Sequence, residues 1–384
     1  MKILLLSNHP PHGGGAANSS QELACELRSI GHKVLQIAPY CIATDLAEYP
    51  GLIWIPINDP WDTLTMTAGN KDSIDRQVLE IYRQQGPFDC VIFGREYYLW
   101  NLPAVKCIHS GPVITICRGG HITHLDSNRP VEPKVRQDLI QLYRDCDLII
   151  CIAGYLVDIV RKVTGAKNQI FCPNPVSLPR LNSPVIYQPT AKDPIRLLMA
   201  AQMKSRKRPL DAVKIVGFLE ERGVDVYLTV CGSGMMMAQM QECIRNYGLE
   251  KRIDMRGQVD RQEVLDLMHQ VETVLLCSER EGIPRVLQEA IASGKGVVAY
   301  DNPGSREVVS QWLGDSPLGR IVPLGNSVAA SHAILDIADY WRTDYQPIVP
   351  PQLPQDQEII YEYESILQTL IRESSNPQII KALA

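Results

Sequence analysis

Two glutamates eight positions apart, Glu281 and Glu289, flank a Gly-Ile-Pro in the stretch SEREGIPRVLQEA, residues 278–290. One carboxylate can accept hydrogen bonds from two hydroxyls at once, which suits a sugar or ribose diol. The run before them, TVLLC, reads as a buried strand. Pro284 suits the first turn of a helix, where a missing N–H removes no bond, and Gly294 ends that helix before the next apolar run. The loop would then leave the carboxyl end of a parallel strand, where open α/β sheets bind ligands. The helix start would add amides and a partial positive charge, suited to a phosphate. The same residue types also fit a solvated loop glutamate followed by an exposed helical one.

Three further loops could carry chemistry. In AAQMKSRKRPLD, residues 200–211, the basic side chains of Lys204, Arg206, Lys207 and Arg208 crowd a turn after a strand. Such charges stabilise a leaving diphosphate; they also fit a solvated basic turn. In HPPHGGGAANSS, residues 9–20, no Gly-Lys-Ser/Thr follows, so it is not a P-loop. It also fails as a dinucleotide fingerprint: Asn18 replaces the third glycine, and strand 33–39 lacks a ribose-binding acid at its end. Glycines 13–15 fit a tight turn equally well. In CRGGHITHLD, residues 117–126, His121 and His124 have no further ligand set beside them, so no metal site is expected.

These loops need strands to hold them, and the chain supplies two series. Strand candidates in the first half are 2–7, 33–39, 52–57, 90–94, 113–117, 148–153 and 169–173. Those in the second half are 195–202, 225–232, 253–259, 273–278, 296–301 and 319–324. They are apolar at successive positions, as parallel strands covered on both faces must be. Six prolines between Pro173 and Pro194 make the linker. A second Pro-rich segment, 347–354, precedes a last helix at 358–371. The expected domains are 1–175 and 190–357, with the tail 358–384 joining the first. The stretch REYYLWNLP, residues 95–103, fits core packing, an acceptor wall or a membrane contact.

At 384 residues the chain can bury two cores. Its net charge of −5 argues against a nucleic-acid partner. Ile3 to Leu6 is too short for a signal-peptide core, and no apolar run approaches the ~18–20 residues of a membrane span. A cytoplasmic protein is expected. Eleven scattered cysteines without a C-x-x-C pair read as reduced core residues.

The pattern E-G-I-P-x-x-x-x-E-A-x-A-S-G-x-x-V-V resembles the signature of glycosyltransferase family 4, the large retaining group with the GT-B fold. Residues 229–282 are similar to that family's C-terminal domain element by element. The resemblance implies two facing Rossmann-like α/β domains, with the last helix crossing back to the first. It implies transfer of a sugar from a nucleoside-diphosphate donor, UDP or GDP in type, to a hydroxyl of a glycan or lipid-linked acceptor, with no cofactor or metal required. Glu281 would contact the donor sugar, beside Gly282 and Ile283, and Glu289 the ribose. The amides of Arg285 and Val286 would face the diphosphate, and the backbone at Val259 the base. Lys207 matches the family's lysine, whereas Gln202 stands where an arginine is usual, which leaves Arg206 or Lys204 to reach the phosphates. Gly14 and Gly15 match a Gly-Gly loop, and Arg118 and His121 match residues near the reacting sugar. Asp145-Cys146-Asp147 looks like the D-x-D metal motif of the other major glycosyltransferase fold, but its position before a strand marks Asp147 as a turn residue. Peripheral membrane contact fits the resemblance. A nucleotide-sugar 2-epimerase, a phosphorylase and a non-catalytic binding subunit share the fold and remain alternatives.

Overall fold

The computed structural model describes residues 1–8, 15–40, 51–56, 64–175, 189–190, 192–343 and 356–374. The chain divides into two compact units, Met1–Ser177 with Pro354–Ala384, and Leu178–Leu353.

The first unit alternates strands and helices: β1 (Lys2–Leu6), α1 (Gly15–Ser29), β2 (Lys33–Tyr40), β3 (Leu52–Pro56), α2 (Ala68–Gln85) and β4 (Cys90–Phe93). A short 3-10 turn, Glu96–Asn101, leads into α3 (Leu102–Lys106), β5 (Val113–Cys117), α4 (Gly120–Asp126) and α5 (Pro133–Arg144). Then come β6 (Leu148–Cys151), α6 (Gly154–Thr164) and β7 (Gln169–Phe171). The sheet order is β3-β2-β1-β4-β5-β6-β7, with every pairing parallel. Strands β1, β4, β5 and β6 are buried at nearly every position, which explains their unbroken apolar runs.

The second unit repeats the plan: β8 (Ile195–Ala200), α7 (Pro209–Glu220), β9 (Val226–Cys231), α8 (Met237–Asn246), β10 (Ile253–Gly257) and α9 (Arg261–Met268). It continues with β11 (Thr273–Leu276), α10 (Arg285–Ala292), β12 (Gly296–Tyr300), α11 (Pro303–Leu313), β13 (Gly319–Val322) and α12 (Ser327–Thr343). Its parallel sheet runs β10-β9-β8-β11-β12-β13. This is a doubly wound order, in which the chain reverses its direction of travel between β8 and β11. Apolar clusters cover both faces of the sheet: Leu197, Val230 and Ile334 lie in one, Leu198, Val274 and Ile291 in the other.

The last helix, α13 (Asp356–Ser374), returns to the first unit. Tyr363 and Leu367 are fully buried there, and Glu364 lies 3.0 Å from His32 Nε2. The first of the charged Asp-Cys-Asp residues sits at the end of α5. Asp147 accepts from the Val113 amide at 2.8 Å and thus closes the turn into β6, as its position suggested. Of the aromatics in 95–103, Tyr97 and Tyr98 are buried, as is Leu99 between them and the half-buried Trp100.

Two charges, Glu272 and Lys295, are buried at the amino-terminal edge of the second sheet. Glu272 accepts from the Arg196 amide at 2.6 Å and lies 3.4 Å from Arg342 Nη2. Lys295 donates to the His269 carbonyl at 3.3 Å and stands 5.2 Å from the centre of the Trp341 ring. Burial lowers the Lys295 ammonium to about 8, with Glu272 opposing the shift; burial raises the Glu272 carboxyl. A lysine titrating near 8 when folded and near 10.5 when unfolded binds fewer protons in the folded state across that window. Stability therefore rises with pH there, by roughly 3 kcal/mol at most. Lys295→Met is expected to abolish this rise when urea midpoints are followed from pH 7 to 10; an unchanged slope would show that the charge is not desolvated.

Candidate functional site

The glutamate loop leaves β11 beside β8, where the second sheet reverses. Helix α10 begins at Arg285, one residue later than expected: Pro284 precedes it with φ −77° and ψ 101° and offers no side-chain cap. The first turn of a helix presents amides that its own carbonyls do not satisfy, and in α10 this turn contains Arg285 and Val286.

Glu281 is nearly enclosed, its side chain 10% exposed, and Lys207 donates to its Oε1. Arg206 Nη1 stands 3.9 Å from Oε2 of the same carboxylate. Arg206 also donates to the Arg280 carbonyl at 3.2 Å, and its own carbonyl accepts from the Glu279 amide at 2.8 Å. The loops after β8 and β11 are thus joined through both backbone and charge. Of the basic cluster, Arg208 turns away: its guanidinium binds Asp211 at 2.6 Å, and its φ of +48° makes the sharp entry into α7.

Gln202 lies on the stretch that two glycines clamp. A Cβ on Gly232 would meet the Ala201 carbonyl oxygen at 1.9 Å, and one on Gly234 would meet that of Met203 at 2.5 Å. Both have positive φ, 129° and 149°, so glycine is required for conformation and for space. Met203 N donates to the Ser233 carbonyl at 2.8 Å, and the Gly232 amide donates to Gly257 at 2.6 Å. These bonds draw the ends of β8, β9 and β10 together. Val259, just beyond β10, packs its side chain against the apolar cluster under α10, as does Ile283.

Glu289 is buried on α10, 7% exposed. Its Oε1 accepts from Arg261 Nε at 2.9 Å and lies 3.6 Å from Arg285 Nη2. The second sheet thus brings Glu281, Gly282, Ile283, Arg285, Val286, Glu289, Lys207, Arg206, Gln202 and Val259 to the carboxyl ends of four adjacent strands, β10, β9, β8 and β11.

Sequence reasoning missed the floor of the glutamate loop. Asn302 donates to the carbonyls of Ser278 and Tyr300, each at 3.1 Å, and caps α11 by accepting from Ser305 at 3.0 Å. A Cβ on Gly304 would meet the Gly282 oxygen at 2.1 Å and that of Glu281 at 2.7 Å. The dipeptide Asn302-Pro303 after an apolar run is a readable cap signal, but nothing in it tells which loop it supports. Arg261 was also missed.

In the first unit, Gly14 lies outside the described residues, and Gly15 opens α1 with open space where a Cβ would stand. Arg118 hooks three segments: it donates to the Gly94 carbonyl at 2.7 Å, to Asn174 Oδ1 at 2.8 Å and to Ser20 Oγ at 3.0 Å. Its own amide and that of Gly119 donate to the buried Glu96 carboxylate at 3.0 and 2.9 Å. His121 is buried edge-on to Tyr97, with ring centres 6.4 Å apart. Arg118 stands in the loop after β5 and His121 in the first turn of α4, with Arg118 fastened to the segments after β4 and β7 and to α1. Glu96, hidden inside the aromatic stretch, gave no signal in the sequence. Among the described residues no group of three His, Cys, Asp or Glu side chains could hold a metal ion, and no helix is long and apolar enough to cross a membrane.

Residues 187–341 match the family described as "Glycosyl transferases group 1". The chain is 25% identical over 252 residues to a protein named as a colanic acid biosynthesis glycosyltransferase, WcaL of Escherichia coli (strain K12), covering 59% of this chain and 58% of that protein. It is 26% identical over 162 residues to the amylovoran biosynthesis glycosyltransferase AmsK of Erwinia amylovora, covering 41% of this chain and 39% of that one. The chain thus spans less than two thirds of either relative. Among solved structures, sucrose-phosphate synthase from Thermosynechococcus elongatus aligns over all of both chains with a TM-score of 0.73 at 14% identity. Anabaena HepE, solved with UDP and glucose, aligns over 100% of this chain and 99% of its own with a TM-score of 0.67 at 16% identity. The fold is therefore GT-B, built from two Rossmann-like α/β units with parallel sheets.

Gly304→Ala is expected to lower the unfolding free energy by about 1–3 kcal/mol, because the new methyl meets backbone that cannot step aside. Gly15→Ala, with open space around it, is expected to stay within about 0.5 kcal/mol. Equal urea midpoints for the two variants would contradict the close packing beneath the glutamate loop.

Proposed function

We propose that the protein is a retaining family 4 glycosyltransferase that moves a sugar from a UDP- or GDP-sugar to an acceptor hydroxyl in the synthesis of a polysaccharide, lipopolysaccharide or glycolipid. The observation that carries this reading is the convergence of Glu281, Glu289 and Lys207 at the reversal point of the second sheet, within the stretch that matches the glycosyltransferase group. The relatives named for colanic acid and amylovoran biosynthesis support a polysaccharide setting, and the UDP and glucose in the HepE structure support the donor class.

In this reading Glu289 accepts the ribose hydroxyls, the backbone at Val259 meets the base, and Glu281 orients the donor sugar. The diphosphate takes the amides of Arg285 and Val286 together with the Lys207 ammonium, and Arg206 stands beside it in place of the arginine that Gln202 replaces. Lys207 is bonded to Glu281 and so lies beside the carboxylate that would orient the donor sugar. The acceptor oxygen attacks the anomeric carbon from the face that the diphosphate leaves. As the carbon–phosphate oxygen bond breaks, that oxygen takes the acceptor's proton, and a nucleoside diphosphate departs. Fixed positive charge at the leaving group is the largest contribution such a site can make. These groups carry the charge without a metal. The first unit takes the acceptor, with Arg118, His121 and the Gly14-Gly15 loop beside it, and the enzyme works in the cytoplasm, with peripheral contact to a membrane that presents its acceptor.

Lys207→Ala is expected to lower kcat by about 10²-fold, the scale for loss of one donor to a developing anion. Glu289→Ala is expected to raise the donor KM about tenfold, equivalent to about 1.4 kcal/mol of binding, with a smaller change in kcat. Sugar transfer from labelled donors measures both. Product that forms without an acceptor would indicate epimerisation, and dependence on free phosphate would indicate phosphorolysis. Unchanged kinetics in both variants would sink the assignment of the site.

A further inference from the structure

The Glu289 carboxylate is held unevenly. Arg261 Nε donates to Oε1 at 2.9 Å and Arg285 Nη2 lies 3.6 Å from that same oxygen. Among the described residues no hydrogen bond reaches Oε2. The Glu289 side chain is 9% exposed. In such a place a carboxylate is held by its partners, and one left unpaired would swing toward water.

Arg261 reaches Glu289 from another element. It is the first residue of α9, and that start is fixed by Asp260, which accepts from the Glu263 amide at 2.8 Å. The turn before it is fixed in turn by the bond from the Gly232 amide to the Gly257 carbonyl, 2.6 Å. A rigid guanidinium therefore grips one oxygen of a carboxylate on α10. The other oxygen keeps two lone pairs, enough to accept both hydrogens of a vicinal diol.

We propose that Arg261 is the positioning residue for the ribose-binding carboxylate: by occupying Oε1 it fixes the orientation of the Glu289 carboxylate and turns Oε2 toward the 2′- and 3′-hydroxyls of the donor nucleoside. This rests on the reading of Glu289 as the ribose acceptor. Arg285 assists from one turn before Glu289 on the same helix, but at a distance too long for a hydrogen bond. A role confined to tying α9 to α10 would not depend on the ribose.

The test compares four probes by calorimetry: UDP, GDP and the 2′,3′-dideoxy analogue of each, bound to the wild-type chain and to Arg261→Gln. For whichever base binds, the wild type is expected to favour the ribose form about tenfold or more, the scale of hydrogen bonds to a charged group. Arg261→Gln is expected to weaken the ribose form about five- to tenfold and leave the dideoxy form unchanged. An equal loss for both forms, or a ribose preference retained in full by the variant, would overturn the proposal. No ribose preference in the wild type would instead overturn the reading of Glu289 itself, and the proposal with it. Should the glutamine variant fail to fold, Arg261→Lys, which keeps the charge and loses the planar fork, serves in the same comparison.

Discussion

The hydrogen-bonded ion pair between Lys207 and Glu281 joins the loops that leave two neighbouring strands, β8 and β11. Both side chains are largely withdrawn from water, at 13% and 10% exposure, so each needs the other. Removing one partner of such a pair costs about 3–5 kcal/mol, because the survivor is left charged and desolvated. Arg206 stands 3.9 Å from the same carboxylate, so two cations face one anion, and in the proposed function a diphosphate offers Lys207 a second anion within the same reach. Binding a doubly charged ligand then requires redistribution of charge already in place rather than burial of a new ion.

That pair can form only because the backbone beneath it is narrowly shaped. The strand order places β8 against β11, and glycines at 232, 234 and 304 let neighbouring loops approach closer than any side chain would allow. Asn302 ties the end of β12 to the end of β11 through the Ser278 carbonyl. Charge, hydrogen bonding and close backbone contact therefore act on the same few residues. The buried Glu272 and Lys295, with the half-buried Arg342 beside them, sit at the opposite edge of this sheet and have no part in that chemistry.

The strands were legible because their signal is local: every apolar run singled out in the sequence contains one, from β1 through β13. The runs mostly extend past the strands, since residues such as Ile152, Ala153, Cys277 and Ser278 stay buried after the ladder ends. Glu281 and Glu289 were legible through their pattern, and Lys207 through its place after a strand. Glu96, Gly304, Asn302 and Arg261 were not, because their work depends on partners 22 to 28 residues away or on a loop from a different strand. Arg118 was read as a residue near the reacting sugar; its bonds to Gly94, Ser20 and Asn174 give it an anchoring function that no spacing rule reveals.

In the proposed function the second unit holds a nucleoside diphosphate by charge and amides alone. The direct measurement is thermal unfolding of the whole chain with UDP, GDP, ADP, CDP or NAD, each in the presence of EDTA. A ligand at about a hundred times its Kd stabilises the folded form by roughly 2.7 kcal/mol, enough to shift the midpoint visibly. The account predicts a shift with UDP or GDP that EDTA does not remove; a shift with NAD alone, or none with any diphosphate at millimolar concentration, would contradict it.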